Sequence, residues 1–292
     1  MNITKKSKGI IILFLITGLW GCEIIDPEEP VPGYLYIEDI QTTTQSGEGT
    51  AEQNFSDAWV YIDQDLLGAF ELPALVPVLE EGNHTVTIKP GIKLNGISST
   101  RAAYPFVKQY ETTVDFQPEK IDTLNLTASY LDGLSFPWNT AGQEDFEQGG
   151  VSLDSTTNSD AQIIRQSNDV FEGNSSGLIH LDSAGMQFEI MSITEFAYPG
   201  QNKPTFLELH YKADNSFAIG LKLYSITGRI EMNPILIVNP RNTWNKIYIN
   251  LTPTLTRENQ TYKYQIYFSG NVNEEIDEAN IYLDNIKLVS AD

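Results

Sequence analysis

Short runs of alternating apolar and polar residues dominate this chain, and they constrain its fold more than any other feature. Side chains alternate between the two faces of a strand, so a two-residue period indicates strands with one buried face. Gly, Pro, Asn and Asp separate the runs, and we find no convincing run at helical period after residue 33. The pattern predicts an all-β fold of sandwiches or barrels. The runs are 59–62, 85–88, 112–116, 207–211, 219–224, 247–251, 264–268 and 281–289.

Residues 1–21 are predicted to be a lipoprotein signal peptide. Three lysines (Lys5, Lys6 and Lys8) precede the uncharged stretch GIIILFLITGLWG at 9–21. That stretch is too short to cross a bilayer, and its basic head is typical of a signal peptide. Leu19 to Cys22 resembles a bacterial lipobox, which implies cleavage before Cys22 and attachment of lipid, including palmitate, to it. The alternative is an ordinary signal peptide or an uncleaved anchor beside an incidental cysteine.

An acidic, proline-rich tether follows at 22–32. Prolines resist helix formation and favour an extended spacer. Acidic residues directly after the lipidated cysteine resemble the surface-export signal of Bacteroidota lipoproteins. The resemblance implies a lipid-anchored protein of the outer membrane that is displayed at the cell surface. The alternative is a solvated linker on a lipoprotein that faces the periplasm.

Charge and length limit the function further. The chain has 18 basic and 39 acidic residues and a formal net charge of −21. Such a chain repels phosphate backbones, so we expect no nucleic-acid partner. The length after signal cleavage suggests two domains. We place them at 33–130 and 144–292, joined by a linker at 131–143 that is rich in Gly, Pro and Asn.

The first domain carries the segment AWVYIDQDLLGAFELPALVPVLEEGNHTVTIKPG at 58–91. This segment resembles PEGA-type and transthyretin-like surface modules, which are small β-sandwiches that act mostly as spacers or adhesion platforms. Within it, the apolar run 72–79 contains Pro73 and Pro77. Proline cannot donate a ladder hydrogen bond, so we expect a loop or an edge strand there.

The second domain resembles the jelly rolls of carbohydrate-binding modules and galactose-binding-like domains. The resemblance rests on EDFEQGG at 144–150, VFEGNSSGLIHL at 170–181, TFLELHYKAD at 205–214, TWNKIYINL at 243–251 and ANIYLDNIKLV at 279–289. It implies a jelly-roll β-sandwich. Some of these domains bind glycans and others are structural parts of larger proteins, so the fold alone does not assign a function.

The same resemblance implies a structural calcium ion. In those modules the acid of the opening motif and the aspartate of the closing strand share calcium, and the matching residues here are Glu147 and Asp284. Calcium prefers six to eight oxygen ligands. The alternative is a turn glutamate and a solvated aspartate. We find no nucleophile, zinc or nucleotide motif, and the three histidines are far apart in sequence, so we expect no catalytic centre and no catalytic cofactor.

The outward set of strand residues suggests a binding face. Period two places the apolar residues of 207–211, 219–224, 247–251 and 264–268 inward and leaves a mixture of aromatic, amide and lysine side chains outward. Sugars present an apolar C–H face and a rim of hydroxyls, which such side chains can bind. The alternative is an ordinary solvent-facing sheet. The candidate ligand residues are Trp244, Tyr248, Tyr224, Tyr267, Lys246 and Gln265.

Together these features predict a non-catalytic, lipid-anchored cell-envelope protein. Its partners would be the lipid bilayer, through Cys22, and a glycan bound by the second domain. The alternative function is a structural or accessory subunit of an outer-membrane protein assembly, with a protein partner in place of the glycan.

Overall fold

A computed structural model describes residues 29–257, 260–273 and 276–291. The predicted signal peptide, Cys22 and most of the tether lie outside these residues. The described chain is nearly all strand, with one short helix, α1 (Thr252–Arg257). No helix within these ranges is long and apolar enough to cross a membrane. The predicted all-β fold is confirmed, and the predicted runs lie in strands except that 247–251 extends one residue past its strand.

The first sandwich packs a three-stranded sheet against a five-stranded sheet. Its strands are β1 (Gly33–Thr43), β2 (Asp57–Ile62), β3 (Asp65–Glu71), β4 (Ala74–Val78), β5 (Gly82–Lys93), β6 (Arg101–Ala103), β7 (Tyr110–Phe116) and β8 (Ile121–Ser129). The small sheet has the order β4-β1-β8, with β1 and β8 parallel. The larger sheet has the order β3-β2-β5-β6, and β7 also pairs with β5. As expected from its prolines, β4 is an edge strand.

The second sandwich is a jelly roll, which confirms that part of the prediction. Its strands are β9 (Leu134–Ser135), β10 (Leu153–Ser155), β11 (Ile163–Gln166), β12 (Ser176–Leu181), β13 (Gln187–Ser192), β14 (Phe196–Ala197), β15 (Thr205–Ala213), β16 (Phe217–Ser225), β17 (Ile230–Val238), β18 (Arg241–Asn250), β19 (Thr261–Asn271) and β20 (Ala279–Ala291). The strands form two antiparallel sheets that share one core.

We name the two sheets of the jelly roll by what lies on their outer faces. The open sheet has the order β10-β13-β19-β16-β17, with β14 paired to β19. The covered sheet has the order β11-β12-β20-β15-β18, with β9 paired to β20. The predicted inward residues of 207–211, 219–224, 247–251 and 264–268 all lie in the core between these sheets.

The outer face of the covered sheet packs on the first sandwich. Three of its residues, Phe206, Tyr248 and Val289, are buried in the hydrophobic core of the first sandwich. The backbone joins the two as well, since the Asn95 N–H donates to the Tyr248 carbonyl over 2.8 Å. The predicted linker is also packed, because β9 pairs with β20 and Trp138 lies in the jelly-roll core. The two sandwiches therefore form one continuous structure.

Candidate ligand-binding faces

The predicted ligand residues are divided between the two outer faces of the jelly roll. Three lie on the open sheet, namely Tyr224, Gln265 and Tyr267. The other three lie on β18 of the covered sheet, namely Trp244, Lys246 and Tyr248. Alternation assigned the correct side of each strand but could not assign strands to sheets. The six residues cannot form one glycan site, because the sandwich core separates the two sets.

The prediction that Lys246 and Tyr248 face solvent is wrong. Tyr248 is 2% exposed, and its hydroxyl donates to Gln53 Oε1 over 2.8 Å while accepting from the Asn54 N–H at 2.9 Å. Lys246 Nζ lies 2.8 Å from the backbone carbonyl oxygen of Glu52. All three partners belong to the first sandwich. Strand alternation predicts the side of a sheet, but it does not predict that another domain covers that side.

Lys246 belongs to a buried ionic network between the sandwiches. Its ammonium lies 2.8 Å from Glu208 Oε2, and both side chains are inaccessible. Lys287 Nζ donates to the Tyr130 hydroxyl at 3.1 Å, and that hydroxyl donates to Glu208 Oε1 at 3.1 Å. The Tyr104 hydroxyl also donates to Glu208. Glu208 and Lys246 are thus paired with each other, and Lys287 is hydrogen-bonded within the same network, which offsets part of the cost of burying these groups.

Burial and the neighbouring charges shift the pKa values of this network. Burial acts to raise the pKa of Glu208, but the charges of Lys246 and Lys287 outweigh it and lower the pKa to about 2. Burial lowers the pKa of Lys287 to about 7. Burial, followed by the same two lysines, lowers the pKa of His210 to about 2. Glu208, Lys246 and Lys287 join the two sandwiches through these contacts, whereas His210 stacks on Phe171 within the jelly roll.

Trp244 lies beyond the interface with the first sandwich, at the far end of the covered sheet. Its ring is half-buried, and its Nε1–H donates to Asp169 Oδ1 over 2.8 Å. The rings of Phe171 and Tyr282 lie 5.9 and 6.3 Å from it, centroid to centroid. The structure therefore places Trp244 at the end of the sheet beside polar residues, apart from Lys246 and Tyr248.

On the open sheet, Tyr267 lies across the neighbouring strand. Gly220 is paired with it on β16, and a methyl group on that glycine would overlap the phenol ring. The ring is only 5% exposed, so the prediction that it is an exposed platform is wrong. The same row of the sheet continues on both sides of this pair. Tyr267 is paired with Met191 on β13, and Gly220 is paired with Pro234 on β17. Tyr267 therefore forms part of the floor of the open face.

Tyr224 and Gln265 are half-buried on the same face and joined by a hydrogen bond from the Tyr224 hydroxyl. Two lysines flank the Tyr224 ring, with Lys222 Nζ and Lys263 Nζ 5.4 and 4.9 Å from its centroid. Lys263 also forms an ion pair with Glu195. The predicted combination of an aromatic ring, an amide and cations is thus present on the open sheet, in the form of Tyr224, Gln265 and Lys222.

A cleft of about 450 Å³ lies next to Tyr267 on the open face. Its floor consists of small residues, Ala218, Ser269 and Gly270, and Ile237 lines it as well. Glu189 and the amides of Asn158, Gln187 and Asn271 also line it. Sequence reasoning missed this cleft. The signal was the outward Ala218 and Ser269, because small outward residues leave space above a sheet.

Glu189 is held in place within the cleft. Its Oε1 accepts hydrogen bonds from Thr156 Oγ1 at 2.7 Å and from Asn158 Nδ2 at 3.2 Å. These donors fix the orientation of the carboxylate, while no hydrogen bond to its Oε2 is present among the residues described. A carboxylate with a free oxygen beside amide groups can accept from the hydroxyls of a ligand.

Glu147 and Asp284 do not converge on a common ion. Glu147 Oε1 accepts from the backbone N–H groups of Asn174 and Ser175, at 2.7 and 2.8 Å. Asp284 Oδ2 accepts from the N–H groups of Phe171 and Glu172, each at 3.3 Å, and burial raises its pKa to about 7. Both acids hold the loop at 171–175 through backbone N–H groups.

The two acids thus hold one loop through its backbone N–H groups, and calcium binding at Glu147 and Asp284 stays an untested prediction. Within the described ranges, no three Asp, Glu, His or Cys residues are grouped closely enough to hold a metal ion.

Comparison with known proteins assigns no family. No protein-family model and no curated protein matches the chain. Among solved structures, the C-terminal family 22 carbohydrate-binding module of Clostridium thermocellum Xyn10B matches with a TM-score of 0.36 and 14% identity, over 51% of this chain and 92% of the module.

Two other solved structures match to a similar degree. TmCBM61, in complex with β-1,4-galactotriose, has a TM-score of 0.30 and 13% identity over 50% of this chain and 90% of that one. The enzymatically active domain of tailspike protein 4 of bacteriophage CBA120 matches with a TM-score of 0.37 and 13% identity, over 57% of this chain and 26% of that one. TM-scores of this size are too low to assign a family or a ligand to this chain. The description of its fold relies on the strands of this structure alone.

Proposed function

We propose that this chain is a non-catalytic, lipid-anchored cell-envelope protein that binds glycan in the cleft of the open sheet. The observation that supports glycan binding is the cleft itself, in which a fixed carboxylate and three amides surround a floor of small residues. Sugar hydroxyls need donors and acceptors, and sugar C–H faces need apolar surface; Glu189, Asn158 and Ile237 supply both. Tyr224 and Gln265 extend the same face.

Glycan binding is tested with the purified protein on a glycan array and on polysaccharide affinity gels. We expect Glu189→Gln and Asn158→Ala to reduce retention of the ligand found for the wild type by about tenfold or more, because each removes a polar contact. The matched control is Asn168→Ala, an exposed asparagine outside the cleft. If no polysaccharide retards the wild-type protein, or if the cleft variants bind like wild type, the proposal is overturned.

The anchor and surface display are part of this proposal. Their support is the lipobox-like sequence at Cys22 and the acidic tether that follows it. Cys22→Ser should release the protein from the membrane fraction or stall its processing. Protease treatment of intact cells should cleave the wild-type protein if it is displayed outside. A processed Cys22→Ser chain that stays in the membrane would refute the anchor.

A second candidate function is a subunit of an outer-membrane protein assembly. The observation that favours it is the apolar surface near strand β17, where Ile226, Ile230 and Ile237 are 72%, 57% and 70% exposed. Exposed apolar patches mark interaction sites. Affinity capture from solubilised membranes should then recover a stoichiometric partner with the wild type and not with Ile230→Lys/Ile237→Lys. Equal recovery with both would remove this candidate.

A further inference from the structure

A second pocket lies at the far end of the covered sheet. Its volume is about 240 Å³, and all of its lining residues belong to the jelly roll. We call it the end pocket and define it by Asp169, Lys212, Asp214, Arg241, Asn242 and Tyr282. The cleft of the open sheet lies on the opposite outer face of the sandwich. A ligand in the end pocket would therefore bind independently of one in the cleft.

One side of the end pocket is fixed by internal contacts. Asp169 accepts from Trp244 Nε1 through one oxygen and forms an ion pair with Lys212 through the other. The Lys212 ammonium also lies 5.7 Å from the centre of the Tyr282 ring. These contacts neutralise Asp169 and Lys212 and hold the Tyr282 ring beside a cation. This side of the pocket is a preformed wall.

The other side of the pocket carries groups that the protein leaves available. The exposed guanidinium of Arg241 has no carboxylate partner among the described residues, and its protein contact is the Tyr211 hydroxyl. Asp214 accepts from the Asn280 N–H through Oδ1 at 2.6 Å, and no ion pair uses its other oxygen within the described ranges. Arg241 and Asp214 line one small pocket without pairing with each other. Both are therefore free to bind a ligand.

These groups define the chemistry of the ligand. A guanidinium binds a carboxylate through two parallel hydrogen bonds. Asp214 and the Asn242 amide suit hydroxyl groups, and the Tyr282 ring suits an apolar face. The volume lies below that of a pocket for a drug-sized ligand and fits a compound of about a dozen non-hydrogen atoms. A hexuronic acid combines these features: one ring, several hydroxyls and one carboxylate.

We propose that the end pocket binds one sugar residue that carries a carboxylate. The carboxylate lies on Arg241, the hydroxyls contact Asp214 and Asn242, and the ring packs on Tyr282. The formal net charge of the chain is −21, which disfavours acidic ligands in general. An unpaired arginine in the pocket overcomes this locally and makes the pocket selective for an acidic sugar. The site would select an acidic residue at a chain end or a free uronic acid.

The test is titration calorimetry of the whole protein with glucuronic and galacturonic acid, alongside glucose and galactose. We expect at least one uronic acid to bind about tenfold or more tightly than its neutral counterpart, with a preference that weakens at high salt. Arg241→Gln should remove this preference. Asp214→Asn should weaken the binding of every sugar. A short oligouronide that binds like the monosaccharide would identify a site for chain ends.

Matched controls separate this site from the cleft. Arg229→Gln changes an exposed arginine that already pairs with Glu231, so it should leave uronic acid binding unchanged. Loss of the preference in Arg241→Gln assigns the binding to the end pocket rather than to the cleft, because no arginine lines the cleft. Thermal melts verify that each variant is folded. The proposal is overturned if no uronic acid binds, if neutral sugars bind equally well, or if Arg241→Gln binds like wild type. It is also overturned if glycine, which has a carboxylate but no sugar ring, binds as well as the uronic acid.

Discussion

Tyr248 points outward from its own sheet, yet its side chain is buried in the hydrophobic core of the first sandwich. It combines a buried ring with two hydrogen bonds to Gln53 and Asn54 of the other sandwich. Its ring also stacks on Phe55 at 6.4 Å and packs near Tyr104 at 5.1 Å. A residue with these contacts stabilises the fold rather than a bound sugar.

We therefore expect Tyr248→Ala to lower the free energy of unfolding by about 3–5 kcal/mol, because it leaves a cavity and two unsatisfied partners. The measurement is urea denaturation at pH 7. Tyr262→Ala is the matched control, since that ring is 48% exposed and its loss should cost within about 0.5 kcal/mol. Equal costs for the two variants would contradict the buried position of Tyr248.

His210 predicts a dependence of stability on pH. Its ring stacks on Phe171 at 3.8 Å, and its pKa is lowered from 6.5 to about 2, so the folded protein holds it neutral. The unfolded chain protonates it below pH 6.5. The neutral His210 therefore contributes fully to the free energy of unfolding above pH 6.5. This contribution is lost as the pH falls from 6.5 towards 2.

His210→Phe keeps a ring on Phe171 and removes this titration. Between pH 6.5 and 4.5, we expect wild type to lose about 1.4 kcal/mol per pH unit relative to the variant. Asp284, with its raised pKa, acts in the opposite direction and is paired with His210 in the sheet, so both proteins are compared in an Asp284→Asn background. Parallel pH profiles for wild type and His210→Phe would refute the neutral state.

At the scale of elements, alternation predicted eight of the strands and the inward faces of four of them. Leu207, Leu209 and Ile266 are all fully buried where period two placed them. Alternation could not identify what covers a face, because Tyr104 and Tyr130 cover the strand of Glu208 from about 100 and 80 residues away in the chain. The cleft and the end pocket also depend on which strands are neighbours in a sheet. A local sequence pattern does not show which strands are neighbours.

The β16–β19 pair supplies a test of the open face. Gly220 leaves the space in which the Tyr267 ring lies. Gly220→Ala should cost about 1–3 kcal/mol, because the ring must move out of a packed position. Ligand retention by the cleft should change as well, since Ser269 in the cleft follows Tyr267 on the same side of β19. Urea denaturation and affinity gels measure the two effects.

Gly149→Ala is the matched control for that substitution, because a methyl group there meets nothing within 4 Å. It should leave both stability and retention unchanged. If Gly220→Ala is as stable as Gly149→Ala, the ring of Tyr267 does not occupy the space above β16.

At the scale of the whole molecule, the two sandwiches depend on each other. Their interface buries Glu208, Lys246 and Lys287, whose exposure in a separated jelly roll would remove hydrogen bonds from each. Phe206 and Val289 would lose the core in which they lie. A resemblance of each half to an independent module did not predict this dependence, because the contacts that create it join residues from the two halves.

We therefore expect the chain to unfold in a single transition. The calorimetric and van't Hoff enthalpies should agree, and probes in either sandwich should report the same midpoint. Glu208→Gln leaves two buried ammonium groups without their counter-charge and should lower that midpoint for both sandwiches together. Two separate transitions in the wild type would show that the interface contributes little to stability.

The place of β20 in the covered sheet also affects how the protein is made. This strand follows all the other described strands in chain order, yet it lies between β12 and β15 and contributes Lys287 and Val289 to the contact with the first sandwich. A nascent chain that lacks residues 279–291 has no centre for that sheet. During synthesis the jelly roll should therefore stay unfolded until these residues are available.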